Sequence, residues 1–316
     1  MPNMPMLCIV GTTASGKTDL AVDLALKFNG EIISSDSMQI YKGFDIGTAK
    51  VTQEEKKNIP HHMIDIVDGN ASYSVADFCR DADSIAESIL LKNKLPILAG
   101  GTGLYIDSFV NNVGFFDFRK DELYSQKLDD IIAESGSEKL WDMLNFSDPD
   151  LAKKIPKTNT KRLKHALEVF HATGKTYDVI SAESIRPPKY DCLKIGLKYA
   201  DRNLLYEKIN KRVDIMIENG LENEVRTLLK TVSRTSQAMN AIGYKEMAEY
   251  IFGETELNEA IEKIKLNSRH YAKRQMTWFK RDLSVVWIDV DRCDDVFGMA
   301  EKTVSEWLGK NDGTKG

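Results

Sequence analysis

An eight-residue phosphate-binding pattern near the start of the chain constrains the fold more than any other feature. It matches G-x-x-x-x-G-K-[ST] in full, between an apolar run that predicts a strand and a pattern that predicts a helix. In a loop of this kind, backbone N–H groups surround an anionic phosphate at a helix N-terminus. The sequence therefore predicts a site for a di- or triphosphate, formed by Gly11, Thr12, Thr13, Ala14, Ser15, Gly16, Lys17 and Thr18.

Two side chains of this loop add chemistry to that of the backbone. Lys17 provides a mobile cation for the terminal phosphate, and the hydroxyl of Thr18 is of the type that binds Mg²⁺. We therefore expect Mg²⁺ as the cofactor, at a site of the class that binds ATP and other nucleotides.

Short apolar runs alternate with helical patterns along the first third of the chain. The pattern predicts strands at 6–10, 31–34, 63–67 and 96–99, and helices at 18–28, 75–92 and 103–110. Strands that alternate with crossover helices form parallel sheets. We therefore expect an α/β fold with a P-loop NTPase-like parallel sheet and helices on both of its faces.

The pattern becomes helical from about residue 114 to residue 188. Amphipathic helices are predicted at 121–135, 138–145 and 160–173, and strands return at 192–197 and 285–290. Between and after these strands lie predicted helices at 202–219, 221–230, 243–252, 257–280 and 301–308. The simplest organisation is a core formed by 1–113 and 190–316, interrupted by a helical insertion domain at 114–189.

Polar residues and glycines follow the second and fourth predicted strands, where open parallel sheets bind ligands. Asp36 is predicted to act as a general base or hydrogen-bond acceptor. An aspartate that caps a helix, or one that supports a metal site from behind its ligands, is the alternative. The glycine-rich turn at 100–103 lets the backbone approach a ligand closely and places Thr102 beside it. Arg202 and Arg212 are candidates for an anion contact from across a cleft, with surface ion pairing as the alternative.

The distribution of charge matters more than its sum. The chain has 316 residues, 42% of them hydrophobic, and a net charge of −5, which on average argues against a nucleic-acid partner. However, residues 153–165 contain six Lys and Arg and no acidic residue, and residues 263–281 contain seven and none. The second run also carries Tyr271, Trp278 and Phe279, which suits single-stranded RNA, although an amphipathic helix with core-facing aromatics remains an alternative.

Together these residues resemble the bacterial tRNA dimethylallyltransferase family, also called tRNA isopentenyltransferases. The phosphate loop, with Thr12 where the family usually has proline, is the first of several blocks in the family's order. The others lie at 36–41, 45–50, 60–62, 100–105, 241–246 and 271–279, so that the resemblance spans nearly the whole chain.

The resemblance implies transfer of a five-carbon group from dimethylallyl diphosphate to the exocyclic amine of adenosine 37, beside the anticodon of tRNA. Asp36 would accept a hydrogen bond or proton from that amine, and Lys17, Thr18, Mg²⁺ and Arg212 would stabilise the departing diphosphate. The implied tRNA anticodon stem-loop contacts are Asp36, Ser37, Met38, Gln39, Thr102, Lys161, Arg162, Lys164, His165, Gly243, Tyr244, Lys245, Lys273, Arg274, Gln275, Trp278 and Lys280.

Two other enzyme activities remain open at this point: a small-molecule P-loop kinase that uses Asp36 as its base, and an isopentenyltransferase that acts on free adenine nucleotides. A nucleotide-dependent RNA-binding switch is a third, non-enzymatic alternative. The four cysteines are widely separated and no apolar run is long enough to span a bilayer. We therefore expect a cytoplasmic protein without a membrane partner. We also expect the protein to be a monomer.

Overall fold

The fold is built on a parallel sheet. The structure, a computed structural model, describes residues 4–115 and 121–312. Each of the three predicted segments 1–113, 114–189 and 190–316 contains a few residues outside the described ranges. These are residues 1–3, 116–120 and 313–316. The six strands are β1 (Met4–Gly11), β2 (Gly30–Ser34), β3 (His61–His62), β4 (Leu95–Ala99), β5 (Tyr190–Lys198) and β6 (Val285–Asp289). They are arranged in the order β3-β2-β4-β1-β5-β6, and every neighbouring pair is parallel.

Helices connect these strands and also form the region between β4 and β5. They are α1 (Lys17–Lys27), α2 (Val75–Leu91), α3 (Gly103–Val110), α4 (Glu122–Ser147), α5 (Pro149–Lys154), α6 (Thr160–Thr173), α7 (Tyr177–Glu183), α8 (Arg202–Glu218), α9 (Leu221–Leu228), α10 (Tyr244–Ile251), α11 (Leu257–Phe279) and α12 (Val296–Asp312), with a 3₁₀ turn at Ala238–Asn240. Within the described ranges, none of these helices combines the length and the apolar character needed to cross a membrane.

The central strand β1 shows why both faces of the sheet are covered. Met6, Cys8 and Val10 pack into one hydrophobic cluster, whereas Leu7 and Ile9 pack into another on the opposite face. The first cluster is completed by side chains of α2, α3, α10 and α11, and the second by those of α1 and α12. An all-apolar strand of this kind fits only a sheet that is buried on both sides, and the predicted α/β fold class is confirmed.

The prediction of a strand at 63–67 is wrong. The structure forms a two-residue strand at His61–His62 instead, and Met63 and Asp65 adopt positive φ angles of 64° and 57°. A residue in this region of φ and ψ cannot continue a β-ladder. Met63 is nevertheless buried in the core, which explains why an apolar segment without strand geometry gave a strand-like pattern.

The chain divides into two compact units, one formed by residues 1–110 and 188–316 and the other by residues 111–187. The second unit has its own core around Leu128, Leu140 and Leu163. Within α4, Gly136 has a φ of 74° and interrupts the helix between the two helices predicted at 121–135 and 138–145. The sequence pattern missed α5 and α7, which are only six and seven residues long.

Candidate active site

The phosphate-binding loop follows β1 and opens α1, in the arrangement that the sequence predicts. Gly11 and Gly16 have φ angles of 141° and 84°, which L-residues rarely adopt. A Cβ atom at Gly11 would also lie 2.3 Å from the carbonyl oxygen of Leu197 in β5. The ammonium of Lys17 donates a hydrogen bond of 2.5 Å to the carbonyl of Thr12, so that it lies across the loop.

Two cationic side chains meet at this loop. Burial, together with the positive charge of Arg212, lowers the pKa of Lys17 to about 7. Burial also lowers the pKa of Arg212, which lies on α8 and donates to the carbonyl of Thr48 at 3.4 Å. The carboxylate of Asp36 opposes both shifts. A diphosphate would add the negative charge that these two cations lack, and would favour their charged forms.

Asp36 lies just beyond the carboxyl end of β2, and the phosphate loop lies at the carboxyl end of β1, so both are at the same end of the parallel strands. Its Oδ1 accepts a hydrogen bond of 2.9 Å from the backbone N–H of Met38, which turns the chain after the strand. The backbone N–H of Ser37, which follows Asp36, donates to Oγ1 of Thr102 at 3.1 Å. The turns after β2 and β4 are thereby joined, and they place Asp36 and Thr102 next to each other.

A cavity of about 350 Å³ brings Thr13 of the phosphate loop together with Asp36 and Arg212. One part of its wall is polar and includes Thr13, Asp36, Ser37 and Arg212, and Arg274 also lines it. Another part is apolar and comes from two helices, with Ile209, Val213 and Met216 on α8 and Ile264 on α11. The cavity can therefore hold a ligand with an anionic end and a short apolar end.

Sequence reasoning missed the apolar wall, and it associated Tyr271 with RNA and not with the cavity. Ile209, Val213 and Met216 follow the i, i+4, i+7 spacing of one helix face, which is a signal that was available but that any core-facing helix also shows. Tyr271 lines the cavity, and burial, with a further contribution from Asp36, raises the pKa of its hydroxyl. The hydroxyl donates a long hydrogen bond of 3.5 Å to the carbonyl of Gly101.

The predicted RNA contacts of the first unit fall into two groups. Lys245, Lys273, Arg274 and Lys280 are exposed, and the Arg274 guanidinium lies 5.7 Å from the centre of the Tyr271 ring. In contrast, Gly243 and Tyr244 are buried. The Tyr244 hydroxyl donates to Glu224 at 2.5 Å and accepts from the backbone N–H of Gly47 at 3.1 Å. Tyr244 thus supports the 45–50 segment from inside the protein.

Two further residues of this set also make internal contacts. The indole N–H of Trp278 donates to Asp107 at 2.5 Å, and a Cβ atom at Gly103 would lie 2.4 Å from the Trp278 ring. The side chain of Gln275 is 5% exposed and bonds to the two glycine-rich loops. Ser37, Met38 and Gln39 are half-buried after β2, and the amide of Gln39 donates to the carbonyl of Thr48 at 3.3 Å.

The basic run of the second unit is less uniform in space than along the chain. Asn159 caps α6 by accepting from the N–H of Arg162 at 3.2 Å, while Leu163 and Leu167 face the core of this unit. Lys161, Arg162 and His165 are exposed. Several lysines of the run instead pair with carboxylates, as Lys153 does with Asp150, Lys154 with Asp178, Lys157 with Glu138 and Lys164 with Asp129.

The oxygen donors near the phosphate loop are consistent with a Mg²⁺ ion that binds together with a phosphate ligand. Thr18 lies in the first turn of α1, and Asp36 is a carboxylate after the neighbouring β2. Within residues 4–115 and 121–312, the structure contains no cluster of three or more His, Cys, Asp and Glu that could hold a metal alone. Mg²⁺ usually keeps several waters and binds through one or two carboxylates plus phosphate oxygens, so these residues fit it.

Comparisons with known proteins identify the family to which the chain is similar. A family model described as IPP transferase matches residues 39–282. The tRNA dimethylallyltransferase of Caldanaerobacter subterraneus subsp. tengcongensis is 49% identical over 290 residues, which cover 90% of this chain and 92% of the relative. The corresponding protein of Oceanobacillus iheyensis is 46% identical over 286 residues, with 90% and 91% covered.

Solved structures show the same similarity. The tRNA isopentenylpyrophosphate transferase of Bacillus halodurans superposes with a TM-score of 0.75 at 40% identity, over 98% of this chain and 99% of that one. A eukaryotic dimethylallyltransferase described as acting on tRNA gives a TM-score of 0.81 at 29% identity, over 97% and 80% of the two chains.

Proposed function

This chain belongs to the IPP transferase family and is a prenyltransferase that modifies tRNA; we propose that it transfers the dimethylallyl group of dimethylallyl diphosphate to the exocyclic amine of adenosine 37. The products are isopentenyladenosine in the tRNA and free diphosphate. One observation carries this proposal: a single cavity combines Thr13 of the phosphate loop, Arg212, Asp36 and an apolar wall. A prenyl diphosphate uses the loop, the arginine and the apolar wall, and an amine acceptor uses the carboxylate.

Lys17 and Arg212, the two cationic side chains at the phosphate loop, act on the diphosphate leaving group. The bond between the allylic carbon and the diphosphate oxygen breaks, and its electron pair stays on the diphosphate. Lys17 and Arg212 neutralise the charge that develops there. Backbone N–H groups of the phosphate loop at Gly11, Thr12, Ala14, Ser15 and Gly16 add to this effect, while the N–H of Thr13 donates to Gln275. Since an allylic carbon ionises readily once its leaving group is stabilised, we expect this to be the largest catalytic contribution.

Asp36 acts on the acceptor. The adenine amine forms the new bond to the allylic carbon and loses a proton, which the Asp36 carboxylate accepts. An adenine amine is a weak nucleophile, so a positioned base lowers the barrier as positive charge develops on nitrogen. The base has to leave its stack to enter the cavity. Thr102, which is held near Asp36 through Ser37, is the proposed contact for the flipped nucleotide.

Mg²⁺ is part of the proposal. Thr18 would hold it together with the diphosphate oxygens, and the bound ion would supply further positive charge to the leaving group. The protein residues retain the tasks of binding the diphosphate, aligning the prenyl chain along the α8 wall and accepting the proton.

Exposed basic residues are the proposed contacts for the anticodon stem-loop. In the first unit these are Lys245, Lys273, Arg274 and Lys280, and in the second unit Lys161, Arg162 and His165. Arginine and lysine beside an aromatic ring suit an RNA loop, in which phosphates need cations and unstacked bases need a flat surface. We also propose that the protein acts as a monomer in the cytoplasm, which light scattering after size exclusion and cell fractionation would test.

Incubation with unmodified tRNA and dimethylallyl diphosphate labelled in the prenyl group tests the reaction. We expect label in the tRNA, located at the adenosine beside the anticodon after nuclease digestion, and release of one diphosphate per prenyl group. A tRNA with guanosine at that position is the matched control, because it offers no adenine amine, and it should remain unlabelled.

The same assay separates the alternatives. Label on free adenosine monophosphate, with none on tRNA, would identify an isopentenyltransferase of free nucleotides. Transfer of the terminal phosphate of ATP to a small molecule, with no prenyl transfer, would identify a kinase. Slow hydrolysis of a triphosphate without any transfer would identify a nucleotide-dependent RNA-binding switch, and each of these three results contradicts the proposal.

A further inference from the structure

Gln275 joins the two glycine-rich loops of the site. Its side-chain oxygen accepts a hydrogen bond of 2.8 Å from the backbone N–H of Thr13, in the phosphate loop. Its side-chain nitrogen donates a bond of 3.0 Å to the carbonyl of Gly101, in the turn after β4. The residue is 5% exposed, so both polar ends of the amide are used inside the protein.

The surrounding geometry is shaped for this contact. A Cβ atom at Gly101 would lie 2.1 Å from the Gln275 nitrogen, so the close approach requires glycine there. Three residues earlier on α11, Ala272 is buried in a cluster that includes Ala14 of the phosphate loop. The helix α11 therefore packs against the phosphate loop at two successive turns, and Gln275 extends this contact to the second loop.

The second loop leads directly to the carboxylate. The N–H of Thr102 donates to the carbonyl of Ser35 at 3.3 Å, and its hydroxyl accepts from the N–H of Ser37 at 3.1 Å. These two bonds bracket Asp36. Hydrogen bonds thus connect the phosphate loop through Gln275 to Gly101, and the adjacent Thr102 to the residues on either side of Asp36.

We propose that Gln275 is a positioning residue, which fixes the diphosphate loop relative to the segment that carries Asp36 and is not itself a contact for tRNA. This inference rests on the proposed function, because it assigns the two loops to leaving group and acceptor. Transfer requires both at bonding distance from one carbon atom, and a misplacement of about 1 Å can reduce the rate about a hundredfold. The amide also keeps the Thr13 N–H satisfied in a buried environment, where an unpaired donor is costly.

Two substitutions test this role. Gln275→Met keeps the length of the side chain and removes both hydrogen bonds. We expect kcat to fall by about ten- to a hundredfold and the affinity for inorganic diphosphate, measured without tRNA, to fall by about tenfold. The affinity for tRNA should stay within about twofold, since the buried side chain does not reach the RNA. Thr277→Val, an exposed position on the same helix, is the matched control and should change none of these values.

Gln275→Glu provides a conservative rescue that depends on pH. When ionised, the introduced carboxylate accepts from the Thr13 N–H but cannot donate to Gly101. When protonated, it offers an O–H donor and a carbonyl acceptor, which can replace both hydrogen bonds of the native amide. We therefore expect the kcat of this variant, relative to the native protein, to rise as the pH falls, whereas a purely structural role predicts a constant ratio.

The outcomes are distinguishable from those that concern the reaction itself. If Gln275→Met weakens tRNA binding and leaves diphosphate affinity unchanged, the residue contacts tRNA and the inference is wrong. A lower melting temperature with unchanged kcat and diphosphate affinity would also overturn it. If the native protein transfers no prenyl group, the proposed function fails, but the comparison of diphosphate affinities still decides whether Gln275 positions the loop.

Discussion

Lys and Arg residues occur both at the phosphate loop and in the basic run of the second unit. They carry the same formal charge, but their side chains differ in burial. Lys17 and Arg212 lie at the phosphate loop, where burial lowers the pKa of each. In the second unit, Lys157 pairs with Glu138 at 2.8 Å, and both side chains are largely exposed. An exposed pair of this kind contributes little to stability, because water and salt screen it. We infer that chemistry depends on a few desolvated charges, and RNA affinity on many exposed ones.

The carboxylate of the cavity should have the largest effect. Asp36→Asn removes the charge but keeps an oxygen that can accept from the N–H of Met38, so the turn after β2 is preserved. We expect kcat to fall by about 10²- to 10⁴-fold, the usual contribution of a general base, while the affinity for tRNA stays nearly constant. Single-turnover transfer and filter binding measure the two quantities separately.

Asp68→Asn is the control for this prediction. Asp68 lies in the same unit, is exposed and pairs with Lys42, so its substitution should leave transfer unchanged. Equal losses of turnover and of tRNA affinity in Asp36→Asn would show that Asp36 contributes to RNA binding and is not the base.

The arginine of the cavity is the next test. Arg212→Met removes a cation from beside the leaving group but keeps a side chain that packs along α8. We expect kcat/KM for dimethylallyl diphosphate to fall by about 10²- to 10³-fold, as for other groups that stabilise developing charge. Lys211→Met, the exposed neighbour on the same helix, should have little effect. A similar loss in both variants would mean that long-range charge, and not position in the cavity, is what matters.

The lowered pKa of Lys17 predicts a pH dependence that exposed lysines do not show. With a pKa of about 7, Lys17 is charged below this pH and loses its charge as the pH rises above it. Since diphosphate binds better to the charged form, its affinity should fall by up to about tenfold per pH unit above 7.

Lys17→Arg is the comparison for this measurement, because an arginine keeps its charge throughout. The ionisation of the ligand is the same for both proteins, so the ratio of their affinities isolates Lys17. Isothermal titration with inorganic diphosphate across neutral pH gives the ratio. A constant ratio would contradict the assigned pKa.

Local features of the site could be predicted from the sequence, and long-range ones could not. The loop at 11–18 depends on residues that are close in sequence, and it lies where the pattern indicates. Gln275 bonds to Thr13, 262 positions away, and Tyr244 bonds to Glu224 and Gly47. No periodicity in one sequence specifies such partners. The resemblance therefore implies RNA contacts for Tyr244 and Gln275, although both side chains are buried.

The same reason limits what the basic runs indicate. Residues 153–165 contain no acidic side chain, but helices packed in the second unit bring carboxylates from elsewhere to Lys154, Lys157 and Lys164. Segregation of charge along the chain therefore overstates segregation in space. In this run Lys161 and Arg162, exposed at the start of α6, are the best candidates for phosphate contacts.

The smallest expected effect follows from these two residues. The double substitution Lys161→Ala with Arg162→Ala should weaken tRNA binding several-fold at low salt and reduce the slope of its salt dependence by about one unit for each phosphate group that is no longer neutralised. Lys153→Ala, exposed but paired with Asp150, is the matched control. At saturating tRNA, kcat should not change, since these residues affect only the encounter with RNA. A fall in kcat with an unchanged salt slope would mean that α6 acts on the reaction, and the distinction between desolvated and exposed charges would then fail.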